Sequence, residues 1–192
     1  MALSYERVLD HTTLLSIVAP VFNEKDVLPV LYERLTRTAE SLAVRCEFVF
    51  VDDGSTDGST NILRRLVDDD DRVRVIELSK NFGHQRAVSA GLAHARGDVV
   101  AIIDADLQDH PELLSQMLER WRAGADVVFG KRRSRRDESR FKLATASLFY
   151  RLLSMTARVD IPRNTGDFRM VDRSAVDVIV RVLGRVARDP LE

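Results

Sequence analysis

Val99-Val100-Ala101-Ile102-Ile103-Asp104-Ala105-Asp106-Leu107-Gln108-Asp109 is the stretch on which the reading of this chain turns. Five apolar residues, mostly β-branched, run directly into carboxylates spaced i, i+2. A short apolar run of this kind predicts a strand buried on both faces, in the middle of a parallel sheet. Side chains two apart in extended chain point the same way, so Asp104 and Asp106 leave the strand's carboxyl end together. In open α/β sheets that end is where ligands bind. Two ionised carboxylates held side by side raise each other's pKa unless a cation sits between them. All-oxygen ligands suit Mg2+ or Mn2+, ions that bridge to substrate phosphates. A pair of turn or capping aspartates is the plainer alternative. It accounts for Asp109, ahead of His110-Pro111-Glu112 as the opening of a helix, but leaves Asp104 and Asp106 unexplained.

Working outward, residues 14–19 read as a first buried strand ended by Pro20, followed by a helix carrying Leu28, Leu31, Leu35 and Leu42. Pro29 is tolerable only in a first helical turn, so that helix begins near Val27 with Asp26 as its cap. Residues 48–51 form a second strand running into Asp52-Asp53-Gly54-Ser55-Thr56-Asp57-Gly58, another acidic pair at a strand's carboxyl end. Small polar residues there cap a helix through Ile62, Leu63, Leu66 and Val67. A third strand covers 73–78. The helix over 82–95 is rich in small residues (Ala87, Ser89, Ala90, Gly91, Ala93) suited to close packing on a sheet, with Gly97 ending it in the left-handed position.

Beyond the central strand, Pro111 and Gly124 bracket a helix with Leu114, Met117, Leu118 and Trp121, the last read as core. Residues 126–130 make a fifth strand. This alternation predicts an α/β fold, a mostly parallel sheet with helices on both faces. No Gly-x-Gly-x-x-Gly follows the first strand, so a dinucleotide loop fits less well than a metal-bridged nucleotide diphosphate.

The 192 residues suffice for one domain with a proper core. Hydrophobic content of 45% and charged content of 31% describe an ordinary soluble globular protein, and a net charge of −1 gives no argument for nucleic acid. Cys46 is the sole cysteine, which excludes an internal disulfide, fits a reducing compartment and predicts a small apolar packer at a strand's start. Residues 14–18 are too short for a secretory leader, and no stretch has the length of a membrane span.

From Lys131 the pattern changes. Lys131-Arg132-Arg133-Ser134-Arg135-Arg136 reads as a basic loop feeding a helix with Phe141, Leu143, Leu148, Phe149, Leu152 and Leu153. Either this is a core-facing helix after a solvated loop, or an amphipathic element at a membrane surface whose loop takes an anionic head group. Thr165-Gly166-Asp167-Phe168-Arg169-Met170-Val171 puts an acid and a base beside a glycine at the start of an apparent strand, and a final helix runs from Ser174.

Taken in order, Ala19-Pro20-Val21-Phe22-Asn23-Glu24, the stretch from Val51 to Asp57, and Asp104-Ala105-Asp106 resemble family 2 of the inverting glycosyltransferases, with the GT-A fold. Asn81-Phe82-Gly83, the run from Asp104 to Glu112, and Asn164 to Met170 narrow the likeness to polyprenyl-phosphate glycosyltransferases, the group of dolichol-phosphate mannose synthases and bactoprenol glucosyltransferases. The likeness covers roughly residues 14–182.

That resemblance implies a sugar moved with inversion from a nucleotide sugar, UDP-glucose-like or GDP-mannose, to a polyprenyl (dolichyl or undecaprenyl) phosphate. By it, Asp104 and Asp106 bind Mg2+ or Mn2+ and the donor diphosphate, with Gln108 near the metal. Pro20, Glu24, Asp52 and Asp53 match the region that recognises nucleobase and ribose. Asp167 matches the catalytic acidic residue of the bactoprenol branch, followed by Arg169. Lys131, Arg132 and Arg133 fall where the family places its acceptor loop. The donor part spans about 14–130, the acceptor loop and interfacial helix about 131–158, and the last region about 159–190. Many relatives continue into transmembrane helices, whereas this sequence ends soon after its Gly166-Asp167-Phe168-Arg169 stretch. The expected setting is cytoplasmic, peripheral to the inner face of the membrane, against lipid or a membrane-protein partner. A soluble saccharide or protein acceptor, or a silent nucleotide-sugar-binding module, stay open as alternatives.

Overall fold

The structure, a computed structural model, describes residues 7–130 and 168–186. Five strands run in one direction: β1 (Leu14–Val21), β2 (Arg45–Asp52), β3 (Val73–Glu77), β4 (Val99–Ile102) and β5 (Val127–Phe129). β6 (Arg169–Asp172) is antiparallel to its neighbours, and the sheet order is β3-β2-β1-β4-β6-β5. The fifth strand therefore does not pair with the fourth. β6 is wedged between them and hydrogen-bonds to both, a long-range placement that local periodicity cannot encode.

Alternation along the strands divides the core into two layers. Leu15, Ile17, Ala19, Phe48, Phe50, Val99, Ala101 and Met170 face one side. They pack against α1 (Leu28–Ser41), α2 (Ser59–Asp69) and α4 (Leu114–Arg122), the last preceded by a 3-10 turn at Pro111–Leu113. Val18, Val49, Val100, Ile102 and Val171 face the other, under α3 (His84–His94) and α5 (Arg173–Val186). Helices thus cover both faces. Each fully buried Leu, Ile or Phe in these layers contributes about 1.5–3 kcal/mol relative to exposure. The small-residue reading of α3 holds at Gly91, where a Cβ would lie 2.3 Å from Val18 Cγ1 and 3.1 Å from Val51 Cγ2. Trp121 is core, 5% exposed.

Four local expectations are corrected. Pro20 lies inside β1 rather than ending it. Its missing N–H points to the β4 side, and β4 stops at Ile102, level with Val18, so no ladder bond is lost. The cap position of α1 is Val27, not Asp26, and the first amides bond to Glu24 O instead (Val27 N at 3.0 Å, Leu28 N at 2.9 Å). Gly97 is not left-handed, since the positive-φ glycines are 54, 58, 83 and 124. It is required by close approach, because a Cβ there would sit 2.6 Å from both Leu14 O and Ser16 N. Asp109 does not cap the helix after it. It is buried and turns back to accept the Asp104 backbone N–H at 3.2 Å.

Cys46 stands second in β2, half-buried, with its thiol pushed up to about 11 by burial. No helix among the described residues is long and apolar enough to cross a membrane. The basic loop and the amphipathic stretch beyond it lie outside the described residues.

Candidate active site

The loops leaving β1, β2, β3 and β4 gather at the carboxyl edge of the sheet, and their backbones are tied to one another. Successive amides of the β1–α1 loop donate to side chains of the β2–α2 loop. Asn23 N bonds to Ser55 Oγ (3.0 Å), Glu24 N to Ser59 Oγ (2.9 Å) and Lys25 N to Asp57 Oδ2 (3.0 Å). The return bond runs from Thr56 N to Asn23 Oδ1 (2.8 Å), which helps hold Asn23 at its positive φ of 57°. Glu24 is thereby held by backbone on both sides.

The acidic pair ending β2 is buried, with Asp52 2% and Asp53 3% exposed. Asp52 accepts from Ser55 N (2.9 Å) and from Thr60 Oγ1 (2.5 Å). Asp53 spends both oxygens on the next loop, accepting from Phe82 N (2.7 Å) and Gly83 N (2.9 Å). These two acids therefore build the floor of the site and fix where α3 starts.

Asp104 and Asp106 stand beyond the end of β4. Asp106 is exposed, and the Asp104 side chain is 18% exposed. Between Asp106 and Gln108 the chain passes through Leu107 at φ 61°, and Gln108 N closes the turn on Asp106 Oδ1 at 3.0 Å. A branched residue with positive φ costs on the order of 1–2 kcal/mol. The loop accepts that strain in the segment that aims the carboxylates. Glu24 completes the group, its carboxyl raised first by burial and then by the negative charges of Asp106 and Asp57.

Acids crowding acids is a field that a hard divalent cation relieves, and the donors here are the oxygens such ions prefer. The site fits Mg2+ or Mn2+ in that sense. Among the described residues no group of three or more His, Cys, Asp or Glu side chains is placed to hold a metal ion. Ions such as Mg2+ need only one or two carboxylates from a protein when substrate phosphates complete the shell.

The remaining residues singled out by sequence divide clearly. Pro20 is buried inside β1, one residue before its last, and Gln108 is exposed in the Asp106 turn. Arg169 opens β6 opposite Ile102, which sets it beside the last turn of chain before Asp104; it is 2% exposed. Lys131, Arg132, Arg133 and Asp167 lie outside the described residues. Two participants escaped the sequence reading. Asp57 was inside a quoted motif, but its pairing with the β1–α1 loop depends on two loops meeting. His84, one residue past Asn81-Phe82-Gly83, lies with Nε2 3.7 Å from Asp104 Oδ1.

Against known proteins, the glycosyl transferase family 2 model matches residues 16–180. An uncharacterised glycosyltransferase of Bacillus subtilis (strain 168) is 47% identical over 167 residues, 87% of this chain and 52% of that protein. The bactoprenol glucosyl transferase of Shigella phage SfV is 41% identical over 165 residues, 86% of this chain and 54% of that protein. The chain thus spans about half the length of the curated relatives it matches. Among solved structures, a mannosyltransferase from Pyrobaculum calidifontis in complex with GDP-Man and Mn2+ aligns with a TM-score of 0.59 at 22% identity, covering 92% of this chain and 49% of that one. At that identity the likeness shows the fold, which is of the GT-A type.

Proposed function

The chain belongs to glycosyltransferase family 2, and from that premise we propose that it moves a sugar from a nucleotide sugar to a polyprenyl phosphate, inverting the anomeric carbon. The observation that carries the reading is the nearness of Glu24 to Asp106 at the carboxyl edge of the sheet, where burial and then the charges of Asp106 and Asp57 raise the Glu24 carboxyl. The bactoprenol glucosyl transferases among the relatives support the lipid phosphate acceptor.

Asp104 and Asp106 would hold a divalent cation, Mg2+ or Mn2+, with Gln108 beside them. When bound, that ion supplies Lewis-acid neutralisation of the departing diphosphate. Residues 14–130 form the donor half. Within it, Pro20, Glu24, Asp52 and Asp53 shape the nucleoside pocket, the two buried aspartates by fixing its loops. Lys131, Arg132, Arg133 and Arg169 serve the acceptor phosphate, arginine binding it in a fork and lowering the repulsion between two anionic substrates.

The nucleophile is a phosphate oxygen. A phosphate monoester loses its second proton near about pH 6, so at neutral pH it is largely dianionic and hardly needs a general base. Asp167 therefore orients the acceptor or a basic neighbour. A steep acidic limb in kcat/KM, removed by Asp167→Asn and unrelated to acceptor ionisation, would contradict that role. Work at the inner face of a membrane follows from the acceptor, with the 131–158 segment against the lipid.

A thermal-shift screen of UDP- and GDP-sugars with Mn2+, followed by transfer to polyprenyl phosphate in vesicles, tests the reading. A donor at 100 times its Kd stabilises by about 2.7 kcal/mol, a clear rise in Tm. No shift with any nucleotide sugar, or donor binding with transfer only to soluble saccharides, would overturn it.

A further inference from the structure

His84 has no role in the reading above, yet it is placed with care. It is the first residue of α3, and the two amides before it, Phe82 N and Gly83 N, are clamped by both oxygens of buried Asp53. Asp53 is itself anchored, its N–H donating to Val21 O at 2.8 Å. The start of α3 is thus fixed from the floor of the sheet. Of the His84 side chain 39% is exposed, so burial in the core does not explain its position. Its Nε2 stands 3.7 Å from Asp104 Oδ1.

Asp104 has this imidazole among its side-chain neighbours. Its backbone is fixed by the bond from Asp104 N to Asp109 Oδ2. A backbone bond leaves the carboxylate plane to be set by the side chain's own contacts. A carboxylate that binds a cation through one oxygen is orientated by a donor on the other, and loss of such a donor weakens metal binding by about 10–100-fold. An imidazole N–H does this without bringing the fixed positive charge of a lysine into the site. The 3.7 Å separation closes to a hydrogen bond with less than about 1 Å of movement, and bonds of this kind are often long before ligand is bound.

We propose that His84 is a positioning residue for the cation site: Asp53 fixes the start of α3, and His84 there holds the Asp104 carboxylate in its metal-binding orientation. The proposal rests on Asp104 being a cation ligand, as read above.

The test follows free Mn2+ by electron paramagnetic resonance in the full chain with saturating UDP, alongside UDP binding in EDTA. His84→Ala weakens Mn2+ binding 10–100-fold, with Tm and metal-free UDP affinity unchanged. His84→Gln, which retains an N–H donor, recovers most of the loss. The proposal fails if His84→Ala binds Mn2+ within twofold of the unmodified chain. It also fails if His84→Gln is no better than His84→Ala, or if metal-free UDP binding falls in step, which would make His84 a direct ligand contact. If the unmodified chain takes up no Mn2+ with either UDP or GDP, the cation site itself is refuted, an outcome distinct from a change confined to His84.

Discussion

The two rims of the sheet use the same side chains to opposite ends. At the amino rim Glu47, 7% exposed, accepts from Ser16 Oγ (2.5 Å) and Arg96 N (2.7 Å), and Arg74 lies 3.5 Å away. Ser16 Oγ in turn accepts from Gly97 N at 2.7 Å. The Glu47 carboxylate there is met by donors from the chain. At the carboxyl rim Glu24 is raised by burial and by Asp106 and Asp57, so acids face acids. A buried acid with donors holds a fold together, while an acid crowded by its own kind needs something from outside. The amino rim is finished by folding; on the function proposed above, the carboxyl rim is finished by a ligand.

Four substitutions would break or sharpen that contrast. Asp106→Ala should lower transfer by at least about 10³-fold, the several kcal/mol that a lost Lewis acid represents. Because Asp106 is exposed, the variant's unfolding free energy from urea titration should stay within about 0.5 kcal/mol of the parent. At the opposite rim Glu47→Ala should do the reverse. It strands the Ser16 hydroxyl, the Arg96 amide and Arg74, destabilising by about 2–4 kcal/mol in denaturant titration, with donor affinity per folded molecule unchanged. Gly97→Ala should destabilise by about 2 kcal/mol, since the new Cβ meets backbone atoms of β1 that cannot rotate away.

The smallest effect belongs to Asp70, which follows α2 just ahead of β3. Asp70 accepts from Arg72 and from Tyr32 Oη (2.6 Å), and the Arg72 bond leads in drawing its carboxyl down to about 2. A carboxyl lowered on folding contributes stability above its unfolded pKa and loses it as pH falls toward the folded one. Asp70→Asn should therefore destabilise by about 1–2 kcal/mol at pH 7. The gap should roughly halve by pH 3 in parallel urea titrations.

The same contrast explains what the sequence could tell. The central strands were legible because Val99, Val100, Ala101 and Ile102 are apolar without interruption, as burial on both faces demands. Asp104 and Asp106 were legible as a pair because strand spacing is local. Pairing between distant segments was not legible. Nothing near Arg169 says that β6 will run antiparallel between β4 and β5, and nothing near Gly97 says that β1 will press against it. Asp52 and Asp53 read as ligand-facing acids, yet their oxygens bond within the loops, where a neighbouring loop supplies the donors. His84 had no signal of its own, because its meaning lies in Asp104, across the sheet's edge.

Calorimetric titration of UDP into the full chain, with Mn2+ and then with EDTA, tests the account most directly. The account predicts binding that strengthens at least about tenfold with Mn2+ in the unmodified chain and loses that gain in Asp106→Ala. Equal UDP affinity with and without the metal, or a gain that survives Asp106→Ala, would contradict it.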